Sequence, residues 1–125
     1  MSYNRLLFVV LVTALLASCT SVPNARTAEV MVNGNCSMCE ETIEEVGLQQ
    51  GVSEVEWDKE TRKATITFDS TIASVNVVLQ RIAIAGYDNE LFIASDAAYA
   101  ERPKCCQYQR TGTTIAPPAK GERTH

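Results

Sequence analysis

Apolar and polar residues alternate in three short stretches of the chain. Residues 29–32, 54–57 and 64–68 each place apolar side chains at every second position, which predicts three half-buried strands. The segment between the last two, residues 58–62, is short and charged, so it predicts an antiparallel hairpin. A fourth, short strand is predicted at residues 91–93, where Leu91 and Ile93 are apolar.

Two helices are predicted between these strands. Ser37 and Glu40 have the spacing of a capping box, in which the serine oxygen accepts the Glu40 N–H and the carboxylate reaches back. The first helix is therefore expected to begin at Ser37. The second helix is predicted from apolar residues that fall on one helical face: Val75, Val78, Leu79 and Ile82. Gly86 follows this helix and suits the left-handed conformation that ends one.

The predicted order of elements, βαββαβ over residues 28–95, is that of the ferredoxin-like, split βαβ fold. Because the strands keep a polar face, both helices are expected on the same side of the sheet. We therefore predict an α+β, two-layer sandwich with a four-stranded antiparallel sheet and two helices on one face. Residues 19–27 are predicted to be a linker. Residues 96–125 are predicted to be a tail, mostly disordered after residue 108 because few apolar side chains follow.

The N-terminal residues have the three regions of a secretory signal: the positive charge of Arg5, apolar residues 6–16, and two small residues. Leu16 to Cys19 resembles the lipobox of bacterial lipoproteins, in which the cysteine is acylated and becomes the mature N-terminus. The resemblance implies that residues 1–18 are removed and that lipidated Cys19 holds the protein on a membrane of the bacterial cell envelope, facing the periplasm. The alternative is an ordinary signal peptide with Cys19 as a spare thiol.

Charge is unevenly distributed along the chain. Residues 28–95 contain twelve acidic and four basic residues, whereas residues 96–125 contain three acidic and five basic residues. Because the acidic part has no basic stripe to displace counterions from a phosphate backbone, nucleic acid is not an expected partner. The only histidine is His125, the last residue, so neither a histidine-based metal site nor a catalytic triad is expected. Thiols and carboxylates remain as the chemical groups.

Cys36 and Cys39 are predicted to lie where the first loop meets the first helix. The unpaired N–H groups and the positive end of the helix dipole favour a negative charge at this position, which prepares thiols for a soft cation. Four carboxylates of the same helix oppose that charge: Glu40, Glu41, Glu44 and Glu45. A bound cation would remove the conflict, because coordinated thiols lose their protons.

Two motifs resemble those of the heavy-metal-associated domain: residues 34–39 opening a helix, and Gly-Tyr-Asp at residues 86–88 after the second helix. This family includes copper chaperones, the metal-binding repeats of copper-transporting ATPases, and periplasmic mercury-binding proteins. The resemblance covers residues 28–95. It implies that Cys36 and Cys39 are metal ligands and that Tyr87 lies near the metal.

The chain departs from the family pattern at Gly34, where a methionine is usual two residues before the first cysteine. The packing that anchors the loop from beneath must then come from elsewhere, and Met38, which is expected near the site, is a candidate to contribute to it.

The resemblance implies a protein that holds one thiophilic ion and passes it to a metal-transporting membrane protein or another thiol metal carrier, without being an enzyme. Two thiolates without imidazole suit Cu(I); Hg(II) fits the same geometry, whereas Zn(II) prefers four ligands. Three other interpretations of the Cys36 and Cys39 pair stay open: a disulfide that staples an interaction module, a thiol–disulfide redox motif, and inert buried thiols. The redox interpretation is weakened because no proline, the residue thioredoxin-like folds place opposite such a pair, lies between Pro23 and Pro103.

The predicted tail contains an adjacent pair, Cys105 and Cys106. The pair is a candidate for additional metal ligands, for a covalent link, or for a separate exposed thiol site. A disulfide between neighbours strains the intervening peptide bond and is disfavoured. Residues 94–104 could span about 35 Å when extended, enough to bring the pair to Cys36 and Cys39, where four thiolates would suit Zn(II) or a Cu(I) cluster.

Overall fold

The computed structural model describes residues 21–114, which form three antiparallel strands and three helices. The elements, in chain order, are β1 (Ala25–Met31), α1 (Ser37–Gly47), β2 (Ser53–Trp57), β3 (Lys63–Asp69), α2 (Val75–Ile84), α3 (Asp96–Ala100) and a 3-10 turn (Lys104–Cys106). No helix in this part of the chain is long and apolar enough to cross a membrane. The predicted signal segment, the lipidation at Cys19 and residues 115–125 lie outside the described residues.

The sheet has the order β1-β3-β2, with β3 in the centre and antiparallel to both neighbours. The predicted hairpin is confirmed, and so is its alternation: Val55 and Trp57 are buried between exposed Glu54 and Glu56. β1 begins at Ala25, within the segment predicted as a linker, because its first residues pair with the end of β3.

The predicted four-stranded sheet is wrong for the described residues, because residues 91–93 form no strand. The segment that follows Gly86 instead pairs with the end of β1 through one isolated bridge, between Val32 and Asn89. The Asn89 side chain then fixes a turn, since its Oδ1 accepts the N–H groups of Leu91 and Phe92 at 3.1 and 3.0 Å. Because these backbone N–H groups donate to a side chain, they are not available for hydrogen bonds to a neighbouring strand.

The first helix begins at Ser37 as predicted, but without the predicted capping box. The N-cap position falls on Cys36, whose side chain makes no capping hydrogen bond. Ser37 therefore lies one residue after the N-cap position. Glu40 likewise lies one residue after the position from which a carboxylate accepts the N-cap N–H. The Glu40 N–H instead donates to the carbonyl of Cys36 at 3.1 Å.

Both long helices contribute to one core against the inner face of the sheet. α1 buries Cys39 and Ile43, and α2 buries the predicted stripe apart from Val75, which is half-buried and packs on its edge. Gly86 ends α2 with a φ of +109°, as predicted. A side chain there would also collide with α3, because an ideal Cβ would lie 2.8 Å from the carbonyl oxygen of Ala98.

Residues 96–110, here called the strap, fold back over the end of the domain near α2. The Tyr108 hydroxyl accepts the N–H of Asp88 at 2.7 Å and donates to the Gly86 carbonyl at 2.9 Å. Arg110 forms an ion pair with Asp88 at 2.9 Å, and its guanidinium lies over the Tyr99 ring at 4.8 Å. Arg110 was expected to be disordered; it is instead fixed by these contacts, which composition does not reveal.

Candidate metal centre

Three thiols converge where α1, the preceding loop and the strap meet. The Sγ atom of Cys36 lies 3.1 Å from that of Cys39 and 3.3 Å from that of Cys106. All three sulfurs lie within 4.8 Å of one another. Three sulfurs around one ion, each at about 2.3 Å, would be separated by about 4 Å, so small movements would accommodate an ion. Cys36, Cys39 and Cys106, here called the inner thiols, are therefore close enough to bind a metal ion.

The start of α1 positions the first two inner thiols. Cys36 is the N-cap, and Cys39 lies in the first turn with its side chain fully buried. The Cys39 thiol also lies 3.4 Å from Oδ1 of Asn35, to which it donates. The unpaired N–H groups of the helix N-terminus favour negative charge at Cys36, where the Cys39 N–H helps to lower the thiol pKa.

Trp57 packs beneath the loop that precedes the first cysteine. An ideal Cβ on Gly34 would lie 2.8 Å from the Trp57 ring, so the indole occupies the space beneath the loop. The indole N–H donates to the carbonyl of Val32 at 3.0 Å, which ties the ring to the base of the same loop. Met38, the contributor that the sequence suggested, is 48% exposed. Glycine at position 34 is thus matched to tryptophan at position 57.

The strap positions the third inner thiol. Cys106 ends the 3-10 turn and is 1% exposed, and Tyr108 two residues later stacks on Tyr87 with ring centroids 6.1 Å apart. The Tyr108 hydroxyl and the Asp88–Arg110 ion pair hold the backbone on both sides of this aromatic contact. Cys106 was one of the tail residues offered by the sequence as an additional ligand, and it is the one that reaches Cys36 and Cys39.

The thiols affect each other's ionisation. Burial opposes the charge on Cys36, but hydrogen bonds from the Cys39 and Cys106 thiols and from the Cys39 N–H outweigh it and lower the Cys36 pKa to about 7. Burial and the bond to Cys36 raise the pKa of Cys106 far above its usual value. The cluster therefore favours a thiolate on Cys36 and a protonated thiol on Cys106. Binding of a cation would displace the remaining protons.

Tyr87 lies beside the inner thiols and is also part of the core. Its side chain is fully buried, which makes it the largest of the fully buried side chains in the described part of the chain. Burial is the main cause that raises the Tyr87 pKa, and the thiols of Cys39 and Cys106 beside it act in the same direction. Its hydroxyl has no hydrogen-bond partner among the described residues, although Thr42 is a neighbour. A buried polar atom without a partner is costly, and here it faces the thiol cluster.

Cys105 remains outside the inner thiols. Its side chain is exposed, and its Sγ lies 3.9 Å from that of Cys106 and 3.4 Å from the sulfur of Met38. Met38 is near the site, as predicted, but on its solvent side. The four cysteines of residues 21–114 are all free thiols.

Sequence reasoning missed the residues that hold the strap. Asp88 was noted only as the third residue of a motif, yet it accepts from Arg110 and from the Ala94 N–H at 2.8 Å. A buried aspartate requires a partner, and the strap contains three basic residues, so one pairing was foreseeable. The choice of Arg110 was not, since it depends on the path of the chain.

Comparisons with models of known families, with characterised proteins and with solved structures give no significant match. The resemblance to the heavy-metal-associated domain, which rests on the two motifs and the predicted order of elements, stays a proposal.

Proposed function

We propose that this protein binds one thiophilic ion between Cys36, Cys39 and Cys106 and passes it to another thiol carrier or to a metal-transporting membrane protein. The observation that carries this proposal is the third thiol. Cys106 lies seventy residues from Cys36 along the chain, yet its sulfur is 3.3 Å away and buried. Packing alone does not require three thiols at one point, whereas three converging sulfurs form a donor set for a soft ion.

The donor set favours a soft ion. It offers three sulfurs, and the Asn35 amide oxygen, 3.4 Å from the Cys39 sulfur, is a poor donor to soft metals. Zn(II) in structural sites is almost always four-coordinate, whereas soft thiolates select Cu(I). Cu(I) is therefore the proposed ion, with Hg(II) as the alternative cargo of the same geometry.

Transfer would proceed by exchange of thiolates. A partner thiolate forms a bond to the ion, one inner thiolate leaves and takes up a proton, and the oxidation state of the ion does not change. Cys106 is the inner thiol best suited to leave, because the strap that carries it is held largely by polar contacts at the surface of the domain. Lipidation at Cys19, outside the described residues, would hold the protein at the periplasmic face of a membrane.

The test is equilibrium competition for Cu(I) against a chromophoric chelator, without oxygen and with reduced protein. We expect Cys36→Ser and Cys39→Ser each to abolish tight one-to-one binding, because neither thiol has a substitute at the helix N-terminus. Cys106→Ser should weaken binding by a factor on the order of 10 to 100, since two thiolates remain. Cys105→Ser is the matched control and should bind as the unaltered protein does. Unchanged affinity in Cys106→Ser would contradict the three-thiol site.

A thiol–disulfide redox protein is the second candidate. It is favoured by the 3.1 Å separation of the Cys36 and Cys39 sulfurs and by the Cys36 pKa of about 7, which is typical of a reactive thiol. The buried third thiol is not needed for that chemistry. Metal content after reductive, anaerobic purification separates the two: one bound ion supports the carrier, and metal-free protein that catalyses thiol–disulfide exchange supports the redox protein.

A further inference from the structure

Two exposed sulfurs lie directly beside the inner thiols without being part of them. Cys105 projects from the 3-10 turn and Met38 from the first turn of α1, and their sulfur atoms are 3.4 Å apart. Both side chains are exposed. Neither sulfur is needed to fill the core, so their proximity requires a different explanation.

We propose that Cys105 and Met38 form an outer sulfur site that accepts Cu(I) from a thiol carrier and hands it to the inner thiols through Cys106. This inference rests on the proposed function of the inner thiols. It assigns Cys105 to uptake and release of the ion, and not to its resting coordination.

The spacing of the sulfurs supports a path of successive exchanges. Cys106 is 3.9 Å from Cys105 on one side and 3.3 Å from Cys36 on the other. An ion bonded at about 2.3 Å to two sulfurs allows them to be no more than about 4.6 Å apart. Each neighbouring pair therefore lies within the span of one ion, and the ion would never be released between steps.

Burial explains why an outer site is needed. Cys39 is fully buried and Cys106 is 1% exposed, so the thiols of an incoming carrier cannot reach either sulfur directly. Cys36 is half-buried and is the other route into the cluster. Cys105 is the exposed thiol, and it adjoins the inner thiol that is carried by the strap. A thioether adds a neutral soft donor, which suits a transient site because it binds without a proton to displace.

The exchange balances as follows. The carrier delivers Cu(I) between two thiolates; the Cys105 sulfur forms a bond to copper, one carrier thiolate leaves, and the proton of Cys105 passes to that thiolate through solvent. Cys106 next bonds to copper and gives up its proton, and the second carrier thiolate leaves and takes one up. Cys36 and Cys39 then bond to copper as the bonds from copper to Cys105 and to the neutral Met38 sulfur break; one proton released by the inner thiols returns to Cys105, and any other passes to solvent. Copper remains Cu(I) throughout, so no oxidant or reductant is consumed.

The test measures uptake rate and equilibrium affinity on the same reduced, full-chain proteins. Stopped-flow absorbance follows the transfer of Cu(I) from a Cu(I)–thiol peptide complex, with the copper-free chain in excess. Cys105→Ser should slow uptake on the order of tenfold or more, because a positioned intramolecular donor is lost. Met38→Leu should slow uptake less, by about fivefold at most. Lys104→Ala, exposed on the same turn, is the control and should not change the rate.

The equilibrium affinities decide between the ways in which the inference could fail. Unchanged uptake in Cys105→Ser would overturn it and assign uptake to Cys36. A loss of affinity in Cys105→Ser as large as that in Cys106→Ser would also overturn it, because Cys105 would then be a resting ligand. Failure of the proposed function looks different: the unaltered chain itself would fail to bind one Cu(I), or Cys106→Ser would bind as tightly as the unaltered chain.

Discussion

The two regions that build the thiol cluster are held in place by different forces. The body of the domain, residues 25–89, is held by apolar burial, with Ile43, Ile66 and Leu79 fully buried between the sheet and the helices. The strap buries Cys106 and Tyr108, the latter stacked on Tyr87, and much of its remaining attachment is polar, including the contacts to Asp88 and Gly86. Two inner thiols thus belong to the region held by apolar burial and one to a region that depends more on polar contacts.

Because of this difference, the position of the third inner thiol depends less on the stability of the core than the positions of the other two. Burial of a large apolar side chain contributes about 1.5–3 kcal/mol, and the body contains many such residues, whereas a net hydrogen bond contributes about 0.5–1.5 kcal/mol. We therefore expect the strap to detach at a lower free energy than that of global unfolding. A carrier benefits from such an arrangement, because one ligand can leave while the other two hold the ion.

The largest expected effect comes from weakening the body. Leu79→Ala removes a fully buried side chain from α2 and should lower the free energy of unfolding by about 2–5 kcal/mol, because it leaves a cavity in the core. Urea denaturation followed by circular dichroism measures it. Val77→Ala, on the exposed face of the same helix, is the control and should cost less than about 0.5 kcal/mol. Similar small losses in both variants would contradict the assignment of the core.

A smaller effect should follow from loosening the strap alone. Arg110→Ala removes the ion pair to nearly fully buried Asp88 and the contact with the Tyr99 ring, which should destabilise the strap by about 1–3 kcal/mol. Because Cys106 is then more often exposed, alkylation of Cys106 should become faster, while that of buried Cys39 stays slow. Quantitative mass spectrometry after a timed exposure to a thiol reagent measures both rates.

The matched control for this experiment is Arg26→Ala, which removes an exposed arginine from β1. It should leave both alkylation rates unchanged. If Arg110→Ala accelerates Cys39 and Cys106 equally, the body and the strap open together, and the distinction between the two regions fails.

The body was the part that could be predicted from the sequence. The alternation in β2 and β3 and the apolar stripe of α2 are local patterns, and burial turns them into strands and a helix directly. The position of Cys39 in the first turn of α1 followed from the same reasoning. Each of these elements forms because one of its faces is buried, so its local pattern was enough to predict it.

The remaining features depend on single polar contacts between distant residues. The fourth strand was lost because the Asn89 side chain accepts two backbone N–H groups, which an alternating apolar pattern does not reveal. The strap has little periodicity, and its path is set by Tyr108 and Arg110 meeting Asp88. The choice of Cys106 over Cys105 follows from this path. Hence the tail cysteines could be offered from the sequence as ligands but not distinguished from each other.

The central claim, that the strap supplies a third ligand, is tested most directly by X-ray absorption at the copper edge of the protein loaded with one Cu(I). The unaltered protein should show three sulfur neighbours, and Cys105→Ser should show the same three. Cys106→Ala should show two, since Cys36 and Cys39 remain in the body of the domain. Two sulfur neighbours in both the unaltered protein and Cys106→Ala would contradict the account, because the strap would then contribute nothing to the metal site.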